Sequence, residues 1–431
     1  MTMACQWAAK LECMILATYF DPIIGNGYTL IRTNMGACDF SERNYTYLDE
    51  ENDFELNSWA LATEDVDLKI PMYKKINQIV KNAIPDGSRD IQYYFAPWSA
   101  PKWMKTNNDF AGQGKIIEDP KYYKTWAEYF IKFIQAYRAE GLNFQHFSLQ
   151  NEPLAGMYTS HEWQETGWNA TGENEFLINY IIPELIKNGI DDVNVQVMDA
   201  QRPFLAERYP YRALDGAETF IPEISGVSVA VHWYTDWVLD KFRTSAYYLT
   251  KTYNDLKPIY GDNFYILNTE ACMPIYKYPI GRQALDDLGN WFHGERYSED
   301  IIIDLKHHTA GWTDWNIVLD VEGGPNWAEN RHDAPIIVDP TTGIYWKNPM
   351  FYHMGHFSKF LDSSFTVLDT LENRTNDDNV LLVAAENANN FVIIVLNKNF
   401  YSVPVSVEFE NGKILNDDIE ARSINSFVVR K

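Results

Sequence analysis

The chain has 431 residues, 46% hydrophobic and 15% aromatic, which is enough apolar material for a large core and a smaller second one. Its 36 basic against 60 acidic residues give a net charge of -24, the wrong sign for a partner whose phosphates must be neutralised, so no nucleic acid is expected. No charge-free run of 18 apolar residues occurs, so no transmembrane segment is expected either.

The opening MTMACQWAAKLECMILATYF carries Lys10 and Glu12 inside its apolar run and has no basic leader or cleavage site, so it reads as an amphipathic helix and not as a signal peptide. Seven short β-branched or aromatic runs follow: YTLIRTN (28–34), IQYYFAPW (91–98), FQHFSLQNE (144–152), NVQVMDAQ (194–201), GVSVAVHWY (226–234), FYILNTEA (264–271) and GWTDWNIVL (311–319). Each is followed by a longer segment of helical period, the signature of βα units with parallel strands.

The clearest helix spans 122–141, where Trp126, Phe130, Phe133, Ile134 and Tyr137 form a core-facing stripe ending at Gly141. ENEFLINYIIPELIKNG, interrupted at Pro183, and SEDIIIDLKHHTAG repeat the pattern and both end at a glycine. From about residue 365 the texture changes to VLLVAAEN, NFVIIVLNKN, VPVSVEFENG and SINSFVVRK, a small antiparallel β domain.

Seven βα strands are one short of a closed (β/α)₈ TIM barrel, and the shortfall exposes two edges of unpaired backbone. Either an opening strand precedes Met1, or the N-terminal helix and another segment fill the gap. Cys5, Cys13, Cys38 and Cys272 lack metal or disulfide spacing and read as free thiols. Glycosylation sequons stand at Asn44, Asn169 and Asn373, which act only on chains that enter the secretory route.

In such a barrel the chemistry sits where strands run into βα loops. Those positions hold Arg32 with Asp39, Trp98, Asn151 with Glu152, Asp199 and Gln201, His232 with Tyr234, Glu270, and Asp314 with Trp315. Glu152 and Glu270 each close an apolar strand, and two carboxylates at one mouth suggest glycoside hydrolysis, one as proton donor and the other as nucleophile. Arg32, His232 and Tyr234 suit an ionised nucleophile, Trp98 and Trp315 offer flat faces to a sugar ring, and Asn151 and Asp39 suit its hydroxyls.

Each has a plainer structural role open to it: a solvated turn for Glu152, an ion pair for Arg32, core packing for His232 and the tryptophans. HEWQE (161–165) has Glu165 where a zinc-protease motif needs a second histidine, the adjacent His307 and His308 make a poor metal pair, and no nucleophile elbow or phosphate loop occurs.

LIRTNMGACDFSERNYTYLD, APWSAPKWMKTN, QNEPLAG, VAVHWYTDW, NTEAC, GWTDWNIVLDVEGGPNW and MFYHMGHFSKF resemble, in the same order, the lysosomal glucosylceramidases (acid β-glucosidases) of glycoside hydrolase family 30. The resemblance implies a retaining β-glucosidase acting on glucosylceramide, with a TIM-barrel catalytic domain over 1–364, a loop or antiparallel insertion over 317–348, and a C-terminal β-sandwich over 365–431. It makes Glu152 the acid/base and Glu270 the nucleophile, and gives sugar- or nucleophile-holding roles to Arg32, Asp39, Trp98, Asn151, His232, Tyr234, Trp315 and Asn330.

It also implies a lysosomal address, an acid optimum, a substrate at a membrane surface, and help from a saposin-type activator and anionic phospholipid. No metal or organic cofactor is expected. The family carries an upstream leader, a disulfide segment and the first barrel strand, and the chain is expected to begin after them. Arg331 stands where an apolar residue is expected, and residues 157–171 match poorly, which bears on the pocket rim. Another family 30 β-glycosidase, or a catalytically impaired sugar-binding homologue, are the alternatives.

Overall fold

The computed structural model describes residues 3–159, 161–235, 242–274, 283–371, 379–409 and 412–431, with the backbone alone for 3–9 and 242–244. Seven parallel strands, β1 (Leu30–Met35), β2 (Gln92–Pro97), β3 (Phe144–Ser148), β4 (Asn194–Gln201), β5 (Gly226–His232), β6 (Ile266–Ala271) and β7 (Thr309–Asp314), pair in chain order. The expected strands all form; β4 spans its run in full, β7 begins two residues before the expected run 311–319 and ends at Asp314, and the others are trimmed at one or both ends. β3 stops at Ser148 because the next residues leave regular pairing, yet they stay tied to both neighbours: Asn151 N–H donates to Pro97 O at 3.0 Å and Glu152 N–H to Asp199 O at 2.9 Å.

The helix Pro120–Ala139 starts as its sequence dictates, with Pro120 in the first turn and the Asp119 carboxylate accepting from Lys121 N–H at 2.8 Å. Its five expected core residues are fully buried. Phe133 and Phe130 meet Phe95 of β2 and Phe147 of β3 at ring distances of 4.8 and 5.4 Å, and each such burial contributes about 1.5–3 kcal/mol. Tyr94, the inward neighbour of Phe95, crosses the barrel interior and donates to Thr313 Oγ1 at 2.7 Å on β7.

Two helix expectations need correction. Pro183 does not break its helix: a π turn over Leu177–Ile181 precedes it, and the helix runs on to Lys187 before Gly189 takes a φ of +65°. The later helix, Trp291–Lys306, ends before its glycine, and His308 takes the left-handed conformation at φ +69°. Gly311 lies inside β7, where a Cβ would stand 3.0 Å from Leu267 Cδ1, so it serves strand packing and not a helix cap.

β1 and β7 share no ladder among the described residues. The end of the first helix (Met3–Phe20) and the loop after it pack there: the buried Tyr19 donates to Ile317 O at 2.5 Å, beyond β7, and Asn26 donates to Phe351 O at 2.8 Å.

A three-stranded sheet follows β7, with β8 (Leu319–Asp320), β9 (Ile336–Val338) and β10 (Tyr345–Lys347). β9 and β10 are antiparallel as expected, but β8 and β9 run parallel, because the long loop between them crosses back before β9 begins.

Beyond residue 365, β11 (Thr366–Val367), β12 (Val380–Glu386), β13 (Asn390–Asn397) and β16 (Ser423–Arg430) form an antiparallel sheet faced by the hairpin of β14 (Val403–Glu408) and β15 (Ile414–Ile419). Ile393 and Val395 face Val405, Val407 and Ile419, while Val392, Ile394 and Leu396 face Ile301, Met350 and Met354 of barrel helices. β13 is thus buried on both sides, which its unbroken apolar run requires.

A buried polar knot ties the end of β4 to β6, β7 and the helix between them. Arg202, after β4, donates to Asp300 Oδ1 at 2.7 Å and Asp304 Oδ2 at 2.7 Å on the helix Trp291–Lys306, where Asn268 of β6 and Trp312 of β7 also converge. Arg202→Ala leaves two buried carboxylates without their guanidinium and should cost about 3–5 kcal/mol. Urea unfolding measures this; a loss below about 1 kcal/mol would contradict the role given to the knot.

Candidate active site

The C-terminal ends of the strands open into a cavity of about 410 Å³ lined by Asp39, Trp98, Asn151, Glu152, Tyr234, Glu270, Trp315 and Asn330. Of the residues given a catalytic or substrate-holding role, all but Arg32 and His232 therefore line one cavity. The Arg32 guanidinium, 2% exposed, donates to Glu270 Oε2 at 2.5 Å, to Asp199 Oδ2 at 2.8 Å and to Asn151 Oδ1 at 2.9 Å. It stacks at 4.8 Å over Trp98, whose ring lies 4.8 Å from that of Trp315. The two indoles therefore spend one face on each other, and Trp98 is buried with the Arg32 guanidinium against its ring.

Tyr234 donates to the other oxygen of Glu270 at 3.0 Å. Burial raises the Tyr234 hydroxyl far above its ordinary range, with Cys272 and Glu270 adding to the rise, so it keeps its proton as a donor. Glu152 accepts from Gln201 Nε2 at 2.7 Å and faces His232 Nδ1 at 3.2 Å, while His232 Nε2 meets Asp199 Oδ1 at 3.0 Å. One unbroken chain thus links the two glutamates: Glu152, His232, Asp199, Arg32, Glu270. The Glu152 side chain keeps 21% of its surface accessible against 9% for Glu270, which puts Glu152 at the mouth and Glu270 deeper.

Asp199 is central, and the strand-end reading found it without giving it a role. Thr269, which that reading passed over, donates to Asp199 Oδ1 at 2.6 Å from β6. Met198 and Asp199 have φ of +76° and +38° at a register shift in β4, and Glu152 has φ +46°. Each left-handed non-glycine residue costs about 1–3 kcal/mol and persists where the surroundings over-determine it, a frequent mark of a functional site. The alternation of NVQVMDAQ predicts no bulge, so the sequence carries no signal for this turn of the Asp199 side chain.

Three carboxylates share two cations here, and the electrostatics follow. Burial raises Asp199, but Arg32 and His232 outweigh it and hold that carboxyl far below the ordinary range. Burial lowers His232, but the charge of Glu270 and the hydrogen bonds to Asp199 and Glu152 carry it up to about 9. Burial pushes Glu270 above its ordinary value, with His232 and Arg32 pulling back and Glu152 adding to the rise. Burial raises Glu152 too, but the His232 bond and charge, then His161, leave it lowered. Asp39 accepts from Asn330 Nδ2 at 3.0 Å, and burial raises it to about 7.

Other expectations fall away from the cavity. Asp314 accepts from Tyr297 at 3.1 Å, and Arg331 pairs with Glu322 at 2.5 Å without lining the cavity. Cys272 is a buried free thiol, raised by burial, 3.2 Å from Tyr234 Oη. Asn169 is exposed and caps a helix, Asn44 is half-buried, and Asn373 lies outside the described residues. No His/Cys/Asp/Glu group among the described residues is arranged to hold a metal, and no described helix is long and apolar enough to cross a membrane.

Leu154, Ala155, Tyr158, Trp163 and Phe204 add an apolar side to the cavity beside the polar Thr159, His161 and Gln201. A parallel barrel with two glutamates at its C-terminal mouth, joined through one buried network, defines a glycoside hydrolase. The chain belongs to glycosyl hydrolase family 30, whose TIM-barrel domain matches residues 5–361.

It is 35% identical over 424 residues to the mouse lysosomal acid glucosylceramidase, covering 97% of this chain and 76% of that protein. It is 38% identical over 363 residues to putative glucosylceramidase 3 of Caenorhabditis elegans, covering 83% of this chain and 63% of the worm protein. Among solved structures, SrfJ from Salmonella typhimurium superposes with a TM-score of 0.81 at 26% identity, covering 98% of this chain and 85% of SrfJ.

The His232 ring should titrate near pH 9, not at its ordinary 6.5. A folded-state pKa raised this way adds stability below about 6.5 that is lost as pH rises through about 9. NMR of labelled histidine should show the high midpoint in the wild type and a fall towards the ordinary value in Asp199→Asn. A wild-type midpoint at the ordinary value would contradict the network.

Proposed function

We propose that the protein is a retaining β-glucosidase that hydrolyses glucosylceramide by double displacement, with Glu270 as nucleophile and Glu152 as acid/base. The observation that carries the proposal is the unequal treatment of the two carboxylates. Glu270, deep in the cavity, receives Arg32 and Tyr234 on its two oxygens, donors that stabilise the ionised form a nucleophile needs. Glu152, at the mouth, is placed to meet the leaving oxygen and then water.

The roles call for a proton on Glu152 and none on Glu270, the reverse of the order in which burial and His232 set the two groups. His232 reconciles them. Its Nδ1 holds a proton 3.2 Å from Glu152 Oε1, one transfer away. A sugar between the carboxylates strips solvent from Glu152 and favours its neutral form, so the proton passes from His232 to Glu152, and the negative charge stays on Glu270 beside Arg32.

Attack by Glu270 on the anomeric carbon then breaks the glycosidic bond as Glu152 protonates the departing oxygen. Water, deprotonated by Glu152, next releases the sugar from Glu270. In this reading Asn151, Asp39 and Asn330 bind sugar hydroxyls, Trp98 and Trp315 bound the ring, and Arg32, His232 and Tyr234 hold the carboxylates.

The choice of glucosylceramide is supported by the apolar side of the cavity, which suits a lipid aglycone better than a second sugar, and by the mouse and worm relatives. Residues 1–364 serve as the catalytic unit and 365–431 as its sandwich. A lysosomal setting is supported by the mouse relative and by an acidity whose self-repulsion eases at low pH. A membrane-surface substrate, a saposin-type activator and anionic phospholipid belong to the same reading.

Glu270→Gln and Glu152→Gln should fold and lose about 10³-fold or more in kcat/KM on glucosylceramide. With azide, Glu270→Ala should yield the α-glucosyl azide and Glu152→Ala the β-glucosyl azide, distinguishable by NMR. Near wild-type turnover by either Gln variant overturns the role assignment. Efficient cleavage of a β-1,6-glucan in place of the lipid overturns the substrate.

A further inference from the structure

The segment after β3 that holds His161 and Glu165 brings a second charged pair to the cavity. His161 lines the outer end of the cavity, its ring stacked on Trp163 at 4.3 Å and 11°. Its Nδ1 lies 2.9 Å from Glu165 Oε2, and its backbone N–H donates to Glu165 Oε1 at 3.3 Å. Glu165 is buried, 3% exposed, and the nearby Lys105 ammonium bonds the carbonyls of Asp109, Phe110 and Glu165. The cation at ion-pair distance from the Glu165 carboxylate is therefore His161. With Nδ1 turned to Glu165, Nε2 is the ring nitrogen left for a ligand.

Among the described residues lining the cavity, only His161 and His332 can carry positive charge, and burial pushes His332 down to about 4. The rest of the lining offers the carboxyls of Asp39, Glu152 and Glu270, neutral polar side chains such as Thr159, Gln201 and Asn330, and the apolar surfaces of Leu154, Tyr158 and Phe204, none of which can carry positive charge. We propose that His161, held by Glu165 and Trp163, makes the outer end of the cavity a subsite for a negatively charged or strongly polarised acceptor oxygen on the aglycone. Sulfonate, carboxylate and amide carbonyl groups a few bonds from the glycosidic oxygen share this chemistry. The inference rests on the β-glucosidase reading and adds to it which aglycones the site prefers.

The groups that face the imidazole are Glu165 on its own loop, Glu152 after β3 and Asp39 after β1, with Lys105 behind Glu165. Burial lowers His161, but the Glu165 carboxylate beside it, then Glu152 and Asp39, hold it above its ordinary value. The ring is therefore charged in weakly acidic solution.

The test compares kcat/KM on an aryl β-glucoside bearing a sulfonate with that on its tert-butyl counterpart, which is neutral and has no acceptor oxygen. The ratio cancels effects on the shared chemistry. His161→Gln should lower the ratio about tenfold, the size of one charge-assisted hydrogen bond, and Glu165→Gln should lower it in the same direction.

The wild-type ratio should fall as pH rises through the His161 titration, since the sulfonate stays ionised throughout; this series decides the matter where a variant fails to fold. Turnover with a ratio that moves by less than about twofold in the variants and stays flat with pH overturns the subsite alone. Failure of the wild type to cleave either glucoside overturns the β-glucosidase reading, and the subsite with it.

Discussion

A single buried guanidinium organises this site. Arg32 leaves β1 with 2% exposure and meets Glu270 of β6, Asp199 of β4, Asn151 beyond β3 and the ring of Trp98 beyond β2. A charge taken this far out of water is tolerated only with opposite charges and hydrogen bonds around it. That demand fixes where the strand ends stop relative to one another. Asp199 reaches Arg32 only because β4 bulges, and the left-handed φ values of Met198, Asp199 and Glu152 are the conformational cost of gathering these groups at one point.

The fold was largely legible because its signals are local. Alternating apolar runs, helical stripes and glycine stops lie within single segments, and all seven strands and the packed face of Pro120–Ala139 follow from them. The misses were matters of context. The π turn before Pro183 depends on how the helix packs, and β15 was passed over because Asn416, Asp417 and Asp418 face solvent. The direction of β8 depends on the path of a loop, which no periodicity encodes.

At the site, residue types at strand ends were legible, and so was the pairing of Glu152 with Glu270 at one mouth. Connectivity was not. Nothing in NVQVMDAQ shows that Asp199 turns inward, bridges His232 to Arg32 and takes a third bond from Thr269. His161 was hidden for a different reason: HEWQE was weighed as a metal motif, and its histidine works instead with Glu165, the residue that spoils that motif. A motif that fails at one chemistry can still place a charge where another chemistry uses it.

The proposed division of labour turns on which glutamate bonds covalently to the sugar. A 2-deoxy-2-fluoro-β-glucoside with a good leaving group slows release of the glycosyl-enzyme, and peptide mapping by mass spectrometry locates the trapped sugar. The account predicts one fluoroglucosyl ester per chain, on the side chain of Glu270. A label on Glu152, or no label from an enzyme that still turns over glucosides, would contradict it.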